Sequence, residues 1–166
     1  MLTNKTALVT GTSRGIGAAI AKSLAKEGAF VIINYTGSKE RADAVASEIT
    51  ADGGKAAVYG CNVSDYSACE KMAKDIMETY GHLDILVNNA GITRDDLLMK
   101  MSEEAFDAVN ATNLKGTFNT IRHFSRYLLK QRSGTIINLS SVSGILGNAG
   151  QANYSASKAG VIGLTK

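Results

Sequence analysis

Two side chains near the end of the sequence, Tyr154 and Lys158, have types and a spacing that could transfer a proton. They lie at positions i and i+4, so a helix would place them on one face. A phenol has a pKa of about 10 and supplies little phenolate near neutral pH. A nearby ammonium favours the charged form, so that a phenol can exchange a proton with a carbonyl or hydroxyl oxygen near neutrality. Ser141, at the end of a predicted strand, could bond the same oxygen.

The Tyr-x-x-x-Lys spacing alone is weak evidence, because most such pairs form a solvated helix face. Tyr35 and Lys39 have the same spacing in this chain and no evident catalytic role. Tyr154 and Lys158 differ because a strand-end serine and a glycine-rich loop precede them. Such a loop lets a substrate approach the backbone closely.

A second candidate site lies at residues 10–17, which read Thr-Gly-Thr-Ser-Arg-Gly-Ile-Gly. An apolar run precedes it at 7–9, and a stretch with helical spacing follows, so the pattern predicts strand, tight turn and helix. Glycines permit a positive φ and leave no Cβ between backbone and ligand. A helix start offers unpaired N–H groups that suit a pyrophosphate. The alternative is a purely structural turn, but the flanking elements favour nucleotide binding.

Strand-like and helical patterns alternate along the chain and predict one domain over residues 1–166 with a doubly wound, Rossmann-like parallel sheet. Ligands in such sheets bind outside the carboxyl ends of the strands. The predicted strands are 7–9, 30–35, 56–63, 83–87 and 135–139. Five helices are predicted. The first follows Gly15, the second begins at Ser38 and the third at Ser64 or Asp65. The fourth begins at Ser102 and is interrupted near 110–113, and the fifth begins at Gln151 or Ala152.

The composition favours an ordinary globular protein, with 45% apolar and 20% charged residues. No apolar run reaches the roughly 20 residues of a membrane span, and a net charge of +3 with scattered Lys and Arg gives little case for nucleic acid. Cys61 and Cys69 have no metal-ligand spacing, which predicts reduced thiols and a cytoplasmic location. No metal site is predicted, and His82 and His123 receive no role.

Three motifs occur in order over nearly the whole chain: Thr10-Gly11-x-x-x-Gly15-Ile16-Gly17, Asn88-Asn89-Ala90-Gly91 and Tyr154-x-x-x-Lys158. Together they resemble the marker motifs of the short-chain dehydrogenase/reductase family. Residues 147–160 are similar to the 3-oxoacyl-acyl-carrier-protein reductases of bacterial fatty-acid synthesis. The resemblance implies NADPH-dependent reduction of 3-oxoacyl thioesters to 3-hydroxyacyl thioesters. The alternatives are a sister enzyme acting on a steroid, a sugar or acetoacetyl-CoA, and a chain that binds nucleotide without turnover.

The same resemblance implies four catalytic roles. Tyr154 would be the acid/base, and Lys158 would make the phenol more acidic and bond the nicotinamide ribose. Ser141 would orient the substrate carbonyl, with Ser140 as its rival. Asn113 would interrupt its helix and hold a water that relays protons to Lys158. The alternative for Asn113 is a mid-helix amide that bonds the preceding turn.

The cofactor choice follows from charge. NAD-specific sites place an acid about 20 residues past the glycines, but residues 34–38 contain none. A 2′-phosphate would instead meet Arg14, Lys39 and Arg41, which favours NADPH; the alternative for Lys39 and Arg41 is an ordinary exposed helix start. By resemblance, Asn62-Val63 would lie beside the adenine. Asn88 and Asn89 would brace the turn after the fourth strand. The predicted cofactor contacts are Gly11, Thr12, Ser13, Arg14, Gly15, Ile16, Gly17, Asn34, Tyr35, Ser38, Asn62, Val63, Asn89, Ala90, Gly91, Tyr154 and Lys158.

The resemblance also carries expectations about length and partners. Family members continue with two further strands and a helical lid, so we expect this chain to be part of a longer protein. A complete chain of this length would need cover from a partner chain over its last strand. The family's contacts imply a homotetramer or homodimer formed through the helix around 113–132 and the helix after Tyr154. Acyl carrier protein would be a further partner.

Overall fold

The computed structural model describes residues 1–166 and has strands alternating with helices, as the sequence predicted. The strands are β1 (Thr6–Val9), β2 (Phe30–Tyr35), β3 (Lys55–Gly60), β4 (Ile85–Asn88) and β5 (Thr135–Asn138). The helices are α1 (Gly15–Lys26), α2 (Lys39–Ala51), α3 (Tyr66–Tyr80), α4 (Glu103–Asn110), α5 (Gly116–Gln131), α6 (Ser143–Leu146) and α7 (Ala152–Thr165), with a π-helix (Ala111–Lys115) between α4 and α5. None of these helices has the length and apolarity needed to cross a membrane.

All five strands run parallel in one sheet, in the order β3-β2-β1-β4-β5. The strand order reverses between β1 and β4, and the crevice at such a point is where doubly wound sheets bind ligands. Val9 pairs with Ile33 on one side and with Val87 on the other. The turns that follow β1 and β4 therefore leave the sheet next to each other, so the fold joins two of the three sequence motifs.

The core has two layers, one on each face of the sheet. On β1, Ala7 and Val9 pack in the cluster that includes α1 and α2, whereas Leu8 packs in the cluster that includes α3 and α5. Successive side chains of a strand point to opposite faces, so a strand buried on both faces is apolar throughout. Leu8, Met72 and Phe124 are fully buried in the second layer. This arrangement confirms the predicted doubly wound sheet.

Helix ends mostly follow their predicted signals. Ser38 and Ser102 accept hydrogen bonds from the backbone as N-caps, and of the two candidates at α3 it is Asp65, not Ser64, that caps the helix. Gly81 ends α3 with φ 78°, in the left-handed region that favours glycine.

The two largest differences between the structure and the predicted elements concern β3 and the segment after β5; a smaller one is β4, which spans Ile85–Asn88 rather than 83–87. Strand β3 ends at Gly60 rather than at 63, because Gly60 pairs with Tyr35, the last residue of the neighbouring strand β2. The segment predicted as a loop after β5 contains the short helix α6, packed on α7. A Cβ built on Gly144 would lie 2.7 Å from the carbonyl carbon of Lys158, so glycine permits this close packing.

Candidate active site and nucleotide turn

The turn after β1 requires glycine at three positions. Gly11 and Gly15 have φ of 68° and 60°, in the left-handed region. A Cβ on Gly11 would lie 2.7 Å from Cα of Ala90. A Cβ on Gly17 would lie 2.4 Å from the carbonyl oxygen of Gly11 and 2.5 Å from Nδ2 of Asn89. The turn is therefore folded closely onto itself and onto the segment after β4.

Side chains of Thr10 and Asn89 hold these two segments together. The buried Thr10 Oγ1 accepts hydrogen bonds from the N–H groups of Asn89 and Ala90, each at 3.0 Å. Asn89 Nδ2 donates to the carbonyl oxygens of Thr10 at 2.8 Å and of Gly11 at 3.0 Å. The predicted bracing of this turn is made by Asn89, whereas the Asn88 side chain bonds Asn138 and Thr120. Thr10 received no role from the sequence, although a hydroxyl residue just before the first glycine was visible there.

The start of α1 is open to a ligand. Arg14, the N-cap residue, has an extended backbone and makes no side-chain cap bond. The first N–H groups of a helix have no partner within the helix, so those of Gly15, Ile16 and Gly17 remain available. A Cβ on Gly15 would have no atom within 4 Å, and Ile16 is 68% exposed. Unpaired donors at the positive end of a helix dipole fit the pyrophosphate of a dinucleotide.

Two of the residues predicted to contact the cofactor, Asn34 and Thr12, also support the turn from within the protein. Asn34 is buried, and its Nδ2 donates to the carbonyl oxygen of Cys61 at 3.0 Å, while its Oδ1 accepts from Gly11 N at 3.4 Å. Thr12 is also buried, and its Oγ1 donates to the carbonyl oxygen of Asn34 at 2.8 Å. Both side chains bond protein backbone. They therefore stabilise the turn from below, and the turn is the part that would contact a nucleotide.

The remaining predicted contacts line the same edge of the sheet. Tyr35 ends β2 and Ser38 follows it; Asn62 and Val63 follow β3, with Val63 buried. Asn62 Oδ1 accepts from the N–H of Ser64 at 3.1 Å, which fixes a turn. Ala90 and Gly91 follow β4, and a Cβ on Gly91 would lie 3.3 Å from Oδ1 of Asn113.

The cations proposed for a 2′-phosphate are not equally available. Lys39 Nζ lies 2.7 Å from Asp43 Oδ2, one turn along α2. This ion pair favours the alternative interpretation of Lys39, in which the residue belongs to an ordinary exposed helix start. Arg14 and Arg41 are exposed and form no ion pair, so they remain free to meet an anion.

Lys158 and Tyr154 lie on one face of α7, as their spacing predicted. Lys158 Nζ lies 5.8 Å from the centroid of the Tyr154 ring and donates to the carbonyl oxygen of Leu139 at 2.7 Å. An ammonium has three donors, so two of them have no protein partner. Lys158 is only 5% exposed, and this burial lowers the pKa of its ammonium below the ordinary 10.5.

The segment after β5 packs on α7 and contains both candidate serines, of which Ser140 contacts Lys158. Ser140 Oγ donates to the carbonyl oxygen of Lys158 at 2.8 Å, so its hydroxyl is used within the protein. Ser141 Oγ accepts from the N–H of Ser143 at 3.2 Å, and its own hydrogen has no protein acceptor. This difference favours Ser141 over Ser140 as a donor to a substrate oxygen.

Asn113 lies in the π-helix and is fully buried. Its Oδ1 accepts from Ile92 N at 2.8 Å, and its Nδ2 donates to Ile92 O and to Ser157 Oγ, each at 3.1 Å. The side chain therefore joins the loop after β4 to α7. Neither of the two interpretations made from the sequence, a residue that holds a water or an amide that bonds the preceding turn, included this contact. The interruption near 110–113 takes the form of a wider helical turn, a feature often found at functional sites.

The two histidines lie apart from these groups. His82 Nε2 lies 3.2 Å from Thr6 Oγ1 and 3.4 Å from Asp84 Oδ2, at the amino-terminal edge of the sheet. His123 packs edge-on against the Tyr66 ring, with centroids 4.3 Å apart. Their contacts are those of structural residues, and no cluster of His, Cys, Asp and Glu in the structure could hold a metal ion.

Residues 5–166, almost the whole chain, match the sequence model of the short chain dehydrogenase family. The chain belongs to the short chain dehydrogenase family. Members of this family are oxidoreductases that use a nicotinamide cofactor. The fold agrees: the crystal structure of a short chain dehydrogenase from Mycobacterium avium superposes with a TM-score of 0.93 at 44% identity, over 99% of this chain and 62% of that one.

Two relatives of this short chain dehydrogenase carry more specific names. The 3-oxoacyl-[acyl-carrier-protein] reductase FabG of Staphylococcus aureus is 57% identical over 166 residues, which cover all of this chain and 68% of that protein. The protein of the same name from Thermotoga maritima is 49% identical over 165 residues, 99% of this chain and 67% of that protein. The chain thus spans about two thirds of the length of these relatives.

Replacing Gly17 by Ala is expected to damage both the fold and nucleotide binding of this short chain dehydrogenase. The new Cβ would overlap Gly11 O and Asn89 Nδ2, and Asn89 is itself held by Thr10. We expect a loss of about 1–3 kcal/mol in the free energy of unfolding, measured with urea, and weaker binding of the reduced nicotinamide cofactor in a fluorescence titration. Gly163→Ala is the control, because a Cβ there meets no atom within 4 Å. Equal behaviour of the two variants would contradict the crowding argument.

Proposed function

We propose that this chain carries the active site of an NADPH-dependent reductase that converts 3-oxoacyl thioesters of acyl carrier protein or CoA into 3-hydroxyacyl thioesters. The observation that carries the proposal is the arrangement on α7. Lys158 Nζ is held by Leu139 O beside the Tyr154 ring, and the Tyr154 hydroxyl has no protein partner. The names of relatives that match along the whole chain support the substrate class.

When bound, the reduced nicotinamide supplies the hydride that the ketone carbon receives. Tyr154 donates its proton to the ketone oxygen, and Ser141 donates a hydrogen bond to the same oxygen. Lys158 stabilises the phenolate that remains. Its two free donors would bond the nicotinamide ribose of a bound cofactor and a water near Asn113. The negative charge that develops on the substrate oxygen thus meets donors already in place.

The cofactor itself is proposed to lie across the carboxyl ends of β1 and β4. The open amides of residues 13–17 would receive the pyrophosphate, and Arg14 would receive the 2′-phosphate. Asn62 and Val63 would border the adenine, and Ala90 and Gly91 would leave space for the adenosine. Tyr35 and Ser38 would lie next to the 2′-phosphate at the end of β2.

The test follows NADPH absorbance in the presence of acetoacetyl-CoA and of acetoacetyl-acyl carrier protein. We expect one 3-hydroxyacyl product for each NADPH oxidised, with steroid and sugar ketones reduced far more slowly. Comparable rates with those ketones would place the chain with a sister enzyme. NADPH binding without oxidation of any of these substrates would instead indicate a nucleotide-binding chain.

Replacing Arg14 by Ala is expected to change the choice between the two nicotinamide cofactors. The guanidinium has no ion-pair partner in the protein, so its loss removes only the bond to the 2′-phosphate, about 1.5–3 kcal/mol for a charged hydrogen bond. The Kd for NADPH should rise about 10- to 100-fold, while the Kd for NADH changes little. Lys39→Ala is the comparison, since Lys39 is paired with Asp43. Equal weakening of both cofactors by Arg14→Ala would contradict the assignment.

The proposed assembly is a homodimer or homotetramer formed through α4, α5 and α7. Phe106 and Phe118, on α4 and α5, are 41% and 43% exposed. Exposed aromatic side chains of this size are common at subunit interfaces. Light scattering of the purified protein measures the assembly directly, and a monomer at micromolar concentration would contradict it.

A further inference from the structure

The carboxamide of Asn153 is fully buried directly beside the proposed acid Tyr154, and all of its polar atoms are used. Oδ1 accepts from the N–H of Tyr154 at 2.7 Å. Nδ2 donates to the carbonyl oxygen of Arg94 at 2.8 Å and to that of Ala105 at 3.3 Å. One side chain therefore contacts three separate segments: the loop after β4, helix α4 and the first turn of α7.

The bond to Tyr154 N replaces the cap that α7 otherwise lacks. Gln151, the N-cap residue, makes no side-chain cap bond. The N–H of Tyr154 lies in the first turn, where no helical acceptor exists. Asn153 supplies that acceptor and so fixes the backbone of the residue that bears the phenol.

The other end of the same stretch is fixed to a different element. Lys158 Nζ donates to Leu139 O, and Ser140 Oγ donates to Lys158 O. The single helical turn from 154 to 158 is thus held at its start against the loop after β4 and at its end against the loop after β5. These two loops follow neighbouring strands at the edge of the sheet where the cofactor is proposed to bind.

We propose that Asn153 is a positioning residue for Tyr154, which acts by fixing the first turn of α7 to the loop after β4 so that the phenol is held in line with the bound substrate. The expected effect of Asn153 on turnover rests on the proposed reductase function. Its effect on the position of the Tyr154 side chain does not depend on that function. A shift of about 1 Å in a catalytic group can lower a rate about 10²-fold, so one buried bond at this position has a large effect.

The first test compares steady-state kinetics of Asn153→Ala with those of two controls in the full chain. We expect kcat for acetoacetyl thioester to fall about 10²-fold and the KM for NADPH to stay within about twofold. Gln151→Ala removes the hydrogen bonds of that side chain with Asp95 Oδ2, Asn148 Nδ2 and Ser143 Oγ, none of which involves Tyr154. Val45→Ala weakens the distant core beneath α2. Both controls should keep kcat. An equal loss in Val45→Ala and Asn153→Ala at matched stability would overturn the proposal.

Asn153→Asp gives a second, nearly isosteric readout. A carboxylate can still accept from Tyr154 N, but it has no hydrogen to donate to Arg94 O or Ala105 O. Protonation of the carboxyl restores one donor, so we expect the activity of this variant, relative to wild type, to recover as the pH falls. A ratio that does not change with pH would contradict the role of the two donor bonds, because a purely steric defect does not titrate.

A spectroscopic measurement separates this inference from the substrate assignment. Ring-labelled tyrosine gives a Tyr154 resonance that Tyr154→Phe identifies. In the NADPH complex we expect one narrow line in wild type and Gln151→Ala, and a broadened or doubled line in Asn153→Ala. If wild type reduces no thioester but the line changes, the substrate class fails and the positioning role stands. If the line is unchanged in Asn153→Ala, the positioning role fails whatever the turnover.

Discussion

Tyr154→Phe is expected to lower kcat for thioester reduction by about 10²–10⁴-fold, the usual contribution of general acid catalysis, while the Kd for NADPH changes by less than about twofold. The change removes one oxygen that has no protein partner. The phenyl ring retains its place 5.8 Å from Lys158 Nζ, so the packing of α7 is preserved. Stopped-flow measurement of NADPH oxidation, together with a fluorescence titration of NADPH, measures the two quantities separately.

The control for this variant is Tyr59→Phe. The Tyr59 hydroxyl donates to Asp75 Oδ2 at 2.5 Å, so its loss removes a real hydrogen bond, but one between β3 and α3. This variant should keep full turnover. A Tyr154→Phe protein with more than about a tenth of wild-type kcat would show that another group or a water donates the proton.

The glycine turn could be predicted from sequence because its requirements are local. Gly11 and Gly15 need a positive φ, and a Cβ on Gly17 would overlap the carbonyl oxygen of Gly11 in the same turn. The glycines themselves therefore indicate the geometry. The same holds for Tyr154 and Lys158, since a spacing of four fixes a common helix face. The doubly wound sheet followed from the alternation of apolar strands with helices, which is also local information.

The supports of the site could not be predicted because they depend on segments far apart in the chain. The amide of Asn34, a predicted cofactor contact, is bonded to the backbone of Gly11 and Cys61, and nothing in the sequence indicated either bond. No periodicity or spacing shows which buried amide will meet which carbonyl. Asn113 and Asn153 show the same limit, because their partners in the loop after β4 lie 21 and 59 residues away.

Lys158→Met is expected to lower kcat by about 10²-fold or more, because the phenolate left after proton donation loses its stabilising charge. Methionine preserves the unbranched stem that packs along α7 but has no donor for Leu139 O. The same assay as for Tyr154→Phe measures the loss. Lys55→Met, at an exposed lysine without an ion-pair partner, should leave turnover unchanged. Turnover near the wild-type rate in Lys158→Met would contradict the role of the ammonium.

The same substitution should also reveal what the buried ammonium costs the fold. Burial lowers the pKa of Lys158 in the folded chain, whereas in the unfolded chain it keeps the ordinary value of 10.5. The folded state therefore carries a penalty for the charged form that is complete below the lowered pKa and disappears as the pH rises towards the ordinary one. We expect the free energy of unfolding of wild type, relative to Lys158→Met, to increase from neutral pH to about pH 10, measured by urea unfolding. If the stability of wild type relative to Lys158→Met fell with rising pH, the protein would be stabilising the charged ammonium. The ammonium would then not depend on a bound cofactor to supply partners for its two free N–H groups.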